Sequence, residues 1–216
     1  MMTSAEKRAA VGGFLWIVAT VQYTVAQFVV AAHWRTPFSW RDNYVGDLGN
    51  TDCGDFMATY VCSPKAGLMN ASFIIAGLLI VAGAGLLRSR WPDTGPATVG
   101  VLLWILVGAG KLLLGVAPEN EDLSLHMIGG FGLPVASVAI LVLSLTIRDT
   151  RLGMFGIVVA VFGLLGTAMS IFAPELLGVG GAERLAGYPG DIWLFVVGGA
   201  ALLPGRRSAQ VLAEVA

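Results

Sequence analysis

The chain has 216 residues, 56% of them hydrophobic and only 12% charged, with a formal net charge of −1 and a mean hydropathy of +0.78. About a quarter of a soluble domain's residues are charged, so this composition excludes an ordinary soluble domain and belongs to the membrane class. The near-neutral balance gives no basic surface for nucleic acid, and the 29 glycines suit membrane helices, whose backbones approach closely through small residues.

The chain opens MMTSAEKRAA and then turns apolar. Crossing the hydrocarbon takes about 20 mostly apolar residues, which predicts a first span over Val11–Ala32. The run is too long for a signal peptide's apolar core and lacks a convincing cleavage site, so the span is expected to be retained. A loop from His33 to Lys65 comes next. Connections of that length are usually functional or disordered; Trp34, Trp40, Tyr44 and Tyr60 favour an ordered cap. Cys53 and Cys62 fall in this loop with Gly54–Val61 between them. A disulfide there needs an oxidising compartment and would stabilise the loop by about 3 kcal/mol in the chain-entropy model. The alternative, a metal-binding pair, has an unusual spacing and no further cysteine to complete it.

Further spans are predicted over Ala66–Leu87, Ala97–Ala117, His126–Ile147 and Leu152–Ala173. A sixth, Tyr188–Leu203, is short and opens with Pro189 and Asp191. What remains is too little for a second domain, so residues 1–216 are read as one all-α membrane domain, a six-helix bundle. No internal repeat is visible, which weakens a transporter reading.

Orientation follows from the basic residues. With the N-terminus inside, the inner segments hold Lys7, Arg8, Arg88, Arg90, Arg148, Arg151, Arg206 and Arg207, and the outer ones Arg35, Arg41, Lys65 and Arg184. Eight against four has the sign of the positive-inside rule, so the protein is expected in the plasma membrane with both termini cytoplasmic. The outer segments then carry ten of the 14 acidic residues: Asp42, Asp47, Asp52, Asp55, Glu119, Glu121, Asp122, Glu175, Glu183 and Asp191.

The remaining basic residue, Lys111, lies inside the third span. Counted from the outer helix end at 1.5 Å per residue, it is about 9 Å deep. Gln27, Asn70, Thr167 and Ser170 fall at a comparable depth of about 5–10 Å. In the first span Thr20, Thr24 and Gln27 share a face at the i, i+4, i+7 spacing, with Tyr23 beside it. Polar groups cost free energy in lipid unless paired, so they should face the bundle interior. The inner half offers chiefly Thr98, Ser144 and Thr146, and the asymmetry predicts a polar cavity that opens outward beneath the cap. Lys111 has three readings: snorkelling to the headgroups, a structural ion pair, or contact with an anionic ligand.

The stretch PENEDLSLH, Pro118–His126, sets carboxylates and an imidazole at the membrane surface. With Asp47 or Asp55 brought over by the cap, Glu119, Glu121 and His126 would supply an oxygen-rich metal site, or Glu119 and His126 a general acid–base pair. The plainer reading is loop acid and an interfacial histidine, and the spacing of Glu119 and His126 matches no zinc motif. A divalent metal is the only cofactor these residues suggest. Haem is argued against, because the only histidines, His33 and His126, have nothing else of a haem site around them. No G-x-S-x-G, H-E-x-x-H or phosphate-cradling loop occurs in a suitable context, and Asn70-Ala71-Ser72, a glycosylation pattern, lies within a predicted span.

Several strings together carry a resemblance: NYVGDLGNTDCG (43–54), YVCSPKAGLMNASF (60–73), APENEDLSLH (117–126) followed by Gly129, and GGAERLAGYPGDIW (180–193). In this order they resemble the bacterial and archaeal integral membrane family catalogued as domain of unknown function 998. The resemblance spans nearly the whole chain and implies a small multi-span helical membrane protein with no settled activity. The positions that match its patterns are Asp47, Asn50, Cys53, Cys62, Asn70, Pro118, Glu119, His126, Glu183 and Tyr188; Lys111 is not among them.

These features favour a membrane protein whose outer polar pocket holds a lipid headgroup or small amphiphile through Gln27, Asp47, Asn70, Lys111, Glu183 and the acids around Glu119 and His126. Membrane lipids are its expected partners; the sequence identifies no protein partner. One rival is a lipid-modifying hydrolase or transferase, metal-dependent, with Glu119 and His126 as catalytic groups. The others are a small-solute transporter and a structural partner of another membrane protein.

Overall fold

A computed structural model describes residues 2–57 and 59–203. Six helices in it are long and apolar enough to cross a membrane, and the protein is an all-α, multi-pass membrane bundle. In chain order, α1 is Ser4–Ala31, β1 Gly54–Phe56, β2 Thr59–Val61, α2 Ala66–Leu86 and α3 Gly95–Val116. Then follow α4 Leu123–Gly130, α5 Gly132–Leu145, α6 Arg151–Phe172, α7 Pro174–Leu177 and α8 Val179–Leu202. The fourth crossing is made by α4 and α5 together, Leu123–Leu145. Its joint falls at Gly129-Gly130-Phe131-Gly132, just ahead of Pro134, whose ring nitrogen has no hydrogen to give. Arg206 and Arg207 lie outside the described residues.

Two helices begin well before their predicted starts, and three others by one to three residues. The first begins at Ser4, because Thr3 and Glu6 form a reciprocal cap: Glu6 N donates to Thr3 Oγ1 (3.2 Å) and Thr3 N to Glu6 Oε2 (2.7 Å). The last begins at Val179 and runs through Pro189. The residue before it is Gly178, whose φ of +76° is open to glycine at little cost and lets the chain turn sharply from α7 against the Arg41 carbonyl.

The helices pack through reciprocal glycine contacts. A Cβ on Gly13 of α1 would stand 2.5 Å from the Gly198 carbonyl oxygen of α8, and one on Gly198 would stand 2.6 Å from that of Gly13. Gly77 of α2 and Gly108 of α3 repeat the arrangement at 2.6 and 2.8 Å. Side chains facing away from these seams, among them Phe14, Leu78, Leu102, Phe162 and Phe195, are at least half exposed. That outward apolar belt suits lipid.

The two ends of the bundle differ. Toward the Lys7–Arg8 end, the interior is filled by tryptophans. Trp193 stacks on Trp91 (5.8 Å between centroids) and on Trp104 (5.2 Å), and Trp16 lies 5.7 Å from both Trp104 and Trp193. At the opposite end the segment between α1 and α2 folds over the helices as a cap. Its hairpin pairs Gly54 with Val61 and Phe56 with Thr59, and the Cys53–Cys62 disulfide closes the open end of that hairpin across a Cα separation of 4.2 Å.

Candidate functional site

The cap meets the bundle at the short turn Gly46–Gly49, GDLG, all four residues buried. The Asp47 carboxylate organises it, accepting from Asn43 Nδ2 (3.1 Å) and from the Tyr44 backbone N–H (2.9 Å). Leu48 is held through its carbonyl by Ser63 Oγ (2.7 Å), and Gly49 through its carbonyl by Asn70 Nδ2 of α2 (2.8 Å). Both glycines of the turn are there for space. A Cβ on Gly49 would collide with Asn70 Oδ1, and one on Gly46 would collide with Glu119 Oε2 and stand 3.0 Å from His126 Nε2.

Adjacent residues at the start of α8 grip the same segment. Glu183 Oε2 accepts from the Val45 N–H (2.6 Å), while Arg184 Nη1 donates to the carbonyls of Trp40 (3.1 Å), Asn43 (2.8 Å) and Gly180 (2.9 Å). The guanidinium also lies over Trp40 and Phe38, 4.9 and 5.4 Å from their ring centroids.

Glu119 and His126 face the turn from the α3–α4 connection and the first turn of α4. His126 Nδ1 lies 2.9 Å from the Ala117 carbonyl, so it must carry the hydrogen, and in the neutral ring the lone pair is on Nε2. That nitrogen is 3.8 Å from Glu119 Oε2, an approach too long for a direct hydrogen bond. Glu119 is 6% exposed and Asp47 2%. Burial, then a side-chain hydrogen bond with Asp47 and the charges of Asp47 and Glu183, push the Glu119 carboxyl up to about 10, so the Glu119–Asp47 pair shares a proton at neutral pH. A carboxyl and an imidazole lone pair at this separation can exchange a proton only through a group bound between them.

Six buried side-chain atoms in this region make no well-formed hydrogen bond: Asn50 Nδ2 and Oδ1, Asn70 Oδ1, Glu119 Oε1, and Arg184 Nε and Nη2; neighbouring polar groups are Asp47 and Asn50 for the Glu119 carboxyl and Tyr188 for the Arg184 guanidinium. Native interiors rarely leave such atoms unpaired. A cavity of about 100 Å³ reaches Asp47 from outside, bordered by Asp42, Tyr44, Met57, Thr59 and Val179.

A second polar cluster lies deeper. Lys111 Nζ is 3.4 Å from Asp191 Oδ1 and 3.5 Å from the Tyr23 ring centroid. The Lys111 and Asp191 side chains are 15% and 16% exposed. Beside them Tyr188 OH donates to Gln27 Oε1 (2.9 Å). Of the three readings of Lys111, the observed geometry is the ion pair within the bundle.

The structure thus gathers Asp47, Asn70, Glu119, His126 and Glu183 around one turn and places Gln27 and Lys111 in the layer below. It separates Glu121, which is exposed and accepts from Thr51 Oγ1 (2.7 Å). The triad Glu119, Glu121 and His126 therefore does not converge, and among the described residues no three His, Cys, Asp or Glu side chains are grouped to hold a metal. Cys53 and Cys62 are joined to each other rather than to a metal. Thr24 is exposed, and Thr167 and Ser170 spend their hydroxyls on their own helix, donating to the Gly163 (3.0 Å) and Gly166 (2.9 Å) carbonyls; none of the three joins the polar layer.

Sequence reasoning missed Arg184 as a site residue and Asp191 as the partner of Lys111. Arg184, Tyr188 and Asp191 follow the i, i+4, i+7 spacing of one helix face. Starting the sixth span at Tyr188 hid that spacing.

A family model described as "Protein of unknown function (DUF998)" matches residues 11–200. The chain belongs to this family. The DUF998 match takes in the whole cap and every residue of both polar clusters. No curated protein and no solved structure matches the chain.

Proposed function

We propose that this DUF998 protein binds the polar head of a lipid or small amphiphile between its cap and the ends of α2, α3, α4 and α8. The observation that carries the reading is the set of buried polar atoms on Asn50, Asn70, Glu119 and Arg184 that make no well-formed hydrogen bond within the protein. Together they offer donors and acceptors of both kinds, which a bound polar head would satisfy. The small cavity at Asp47 gives a head a way in, and the apolar helix surfaces below the cap give a chain somewhere to lie. On this reading the cap faces the outside of the plasma membrane and both termini are cytoplasmic. The excess of arginine and lysine at the other end and the disulfide in the cap support that orientation.

Photoaffinity mapping tests the proposal. A diazirine-bearing phospholipid or lysolipid should label peptides covering residues 43–50 and 117–126, and excess unlabelled amphiphile should compete. Labelling confined to the lipid-facing belt, with none beneath the cap, would falsify it.

A second reading is favoured by the Glu119–His126 approach, which suits acid–base chemistry on a bound lipid, either hydrolysis or group transfer. It predicts products from a copurified amphiphile with the wild type and none with Glu119→Gln. If that chemistry is metal-assisted, stoichiometric divalent metal should be found on the purified protein and lost with His126→Ala.

A further inference from the structure

A further groove lies at the end opposite the cap and plays no part in the reading above. It has a volume of about 310 Å³ and opens between the α2–α3 connection, the start of α6 and the last turns of α8. That volume falls at the lower edge of the roughly 300–1,000 Å³ typical of small-ligand sites. Its walls are apolar, with Trp91, Ile147, Phe155 and Val197 among them, and Arg90 and Arg151 stand at its rim. The Trp91 indole N–H is buried without a hydrogen-bond partner. Arg151 is exposed and makes no ion pair among the described residues.

Charge decides what fits. This end of the bundle carries Lys7, Arg8, Arg88, Arg90, Arg148 and Arg151 against Glu6, Asp93 and Asp149. An apolar slot at headgroup level with arginines at its mouth matches a molecule that is apolar in its body and anionic at its head. Basic pockets between spans bind anionic lipid heads in this way. We infer that the groove is a site for one anionic phospholipid, an acyl chain lying along Trp91, Phe155 and Val197 and the phosphate meeting Arg151. The headgroup would be read by charge alone, since the described lining residues include no carboxylate for an amine.

The test is native mass spectrometry of the full chain released from nanodiscs of phosphatidylcholine containing phosphatidylglycerol. The wild type should retain one phosphatidylglycerol per chain. Arg151→Gln should lower the retained fraction about fivefold, the effect expected of one juxtamembrane arginine. Val196→Trp, which fills the groove from a position already 37% exposed, should abolish retention. Arg148→Gln, the same charge change outside the lining, should leave it unchanged. An equal fall with Arg148→Gln would reduce the effect to a diffuse field and overturn the site. So would retention of phosphatidylcholine equal to that of phosphatidylglycerol, or indifference to Val196→Trp. Efficient disulfide formation between Val196→Cys and Val211→Cys would give the groove to the chain's own C-terminal segment, and a lipid-free dimer would give it to a second copy. Either also overturns the inference.

Discussion

Glu119 shows how a position can be ordinary in sequence and unusual in place. In PENEDLSLH it reads as one loop acid among three; in the fold it is sealed beneath Gly46, beside Asp47 and His126. Its raised pKa has a consequence for stability with a definite sign. Between the ordinary value of 4.5 and about 10, the native state holds a proton that the unfolded chain releases. Stability therefore falls as pH rises through that window. Glu119→Gln, which is neutral throughout, should flatten the decline, as read by thermal unfolding in detergent from pH 5 to 9. An unchanged slope would mean that the carboxyl is ionised in the fold.

Space around the same pair gives a second residue-scale prediction. Gly46→Ala should cost about 2 kcal/mol, a typical overpacking penalty, because the added methyl lands on Glu119 and His126. Gly54→Ala, where a Cβ meets nothing within 4 Å, should be close to neutral. Comparable losses from both would show that the turn is not pressed on the pair. The deeper ion pair behaves differently. Asp191→Asn strands the Lys111 charge and should cost about 3–5 kcal/mol, whereas Lys111→Met with Asp191→Leu should recover most of it. Unfolding midpoints of the three proteins decide the matter.

Much of this was legible at the residue scale. Asp47, Glu119, His126, Glu183 and the cysteine pair stand out in the sequence, because acids, imidazoles and thiols are scarce in an apolar chain. What could not be read was which of them meet. Glu119 and Glu121 are two residues apart yet point to different environments, one under the cap and one to Thr51 on the surface. Thr167 and Ser170 lie at the expected depth, but a hydroxyl in a helix can satisfy itself on the carbonyl four residues back, so depth alone does not recruit it.

Elements explain where the reading of the sequence stopped short. The six crossings follow from length and hydropathy, yet both the first and the last helix begin earlier than an apolar run alone suggests. In α1 the extension rests on the Thr3–Glu6 cap. In α8 it rests on a glycine turn and on a proline that the helix absorbs. The stretch of α8 from Val179 to Ala186 therefore clamps the cap instead of lying in a loop. The glycine seam between α1 and α8 gives the element-scale prediction. Gly198→Leu should separate the helices and cost about 1–3 kcal/mol, while Gly199→Ala, which points into open space, should be neutral or slightly stabilising. Thermal unfolding of the two variants checks it; equal behaviour would refute the close approach.

At the scale of the whole molecule, the bundle is divided into two unlike halves. The tryptophan stack fills one, and the polar clusters and the cap occupy the other. That division disfavours a continuous aqueous path and suits a site that addresses one leaflet. Fold class and polarity of this kind are visible in composition, because polar residues inside spans are rare enough to map by depth. The closed cap is not, since its burial depends on the GDLG turn, on Glu183 and Arg184 and on the hairpin disulfide acting together. The measurement that tests the account most directly is the mass of the intact protein with whatever it retains through mild-detergent purification, wild type against an Asn50→Ala, Glu119→Gln variant of matched stability. The account predicts that the variant loses one amphiphile per chain that the wild type retains, while any lipid in the groove at the opposite end stays on both. The same bound species at the same occupancy on both proteins would contradict a binding site beneath the cap.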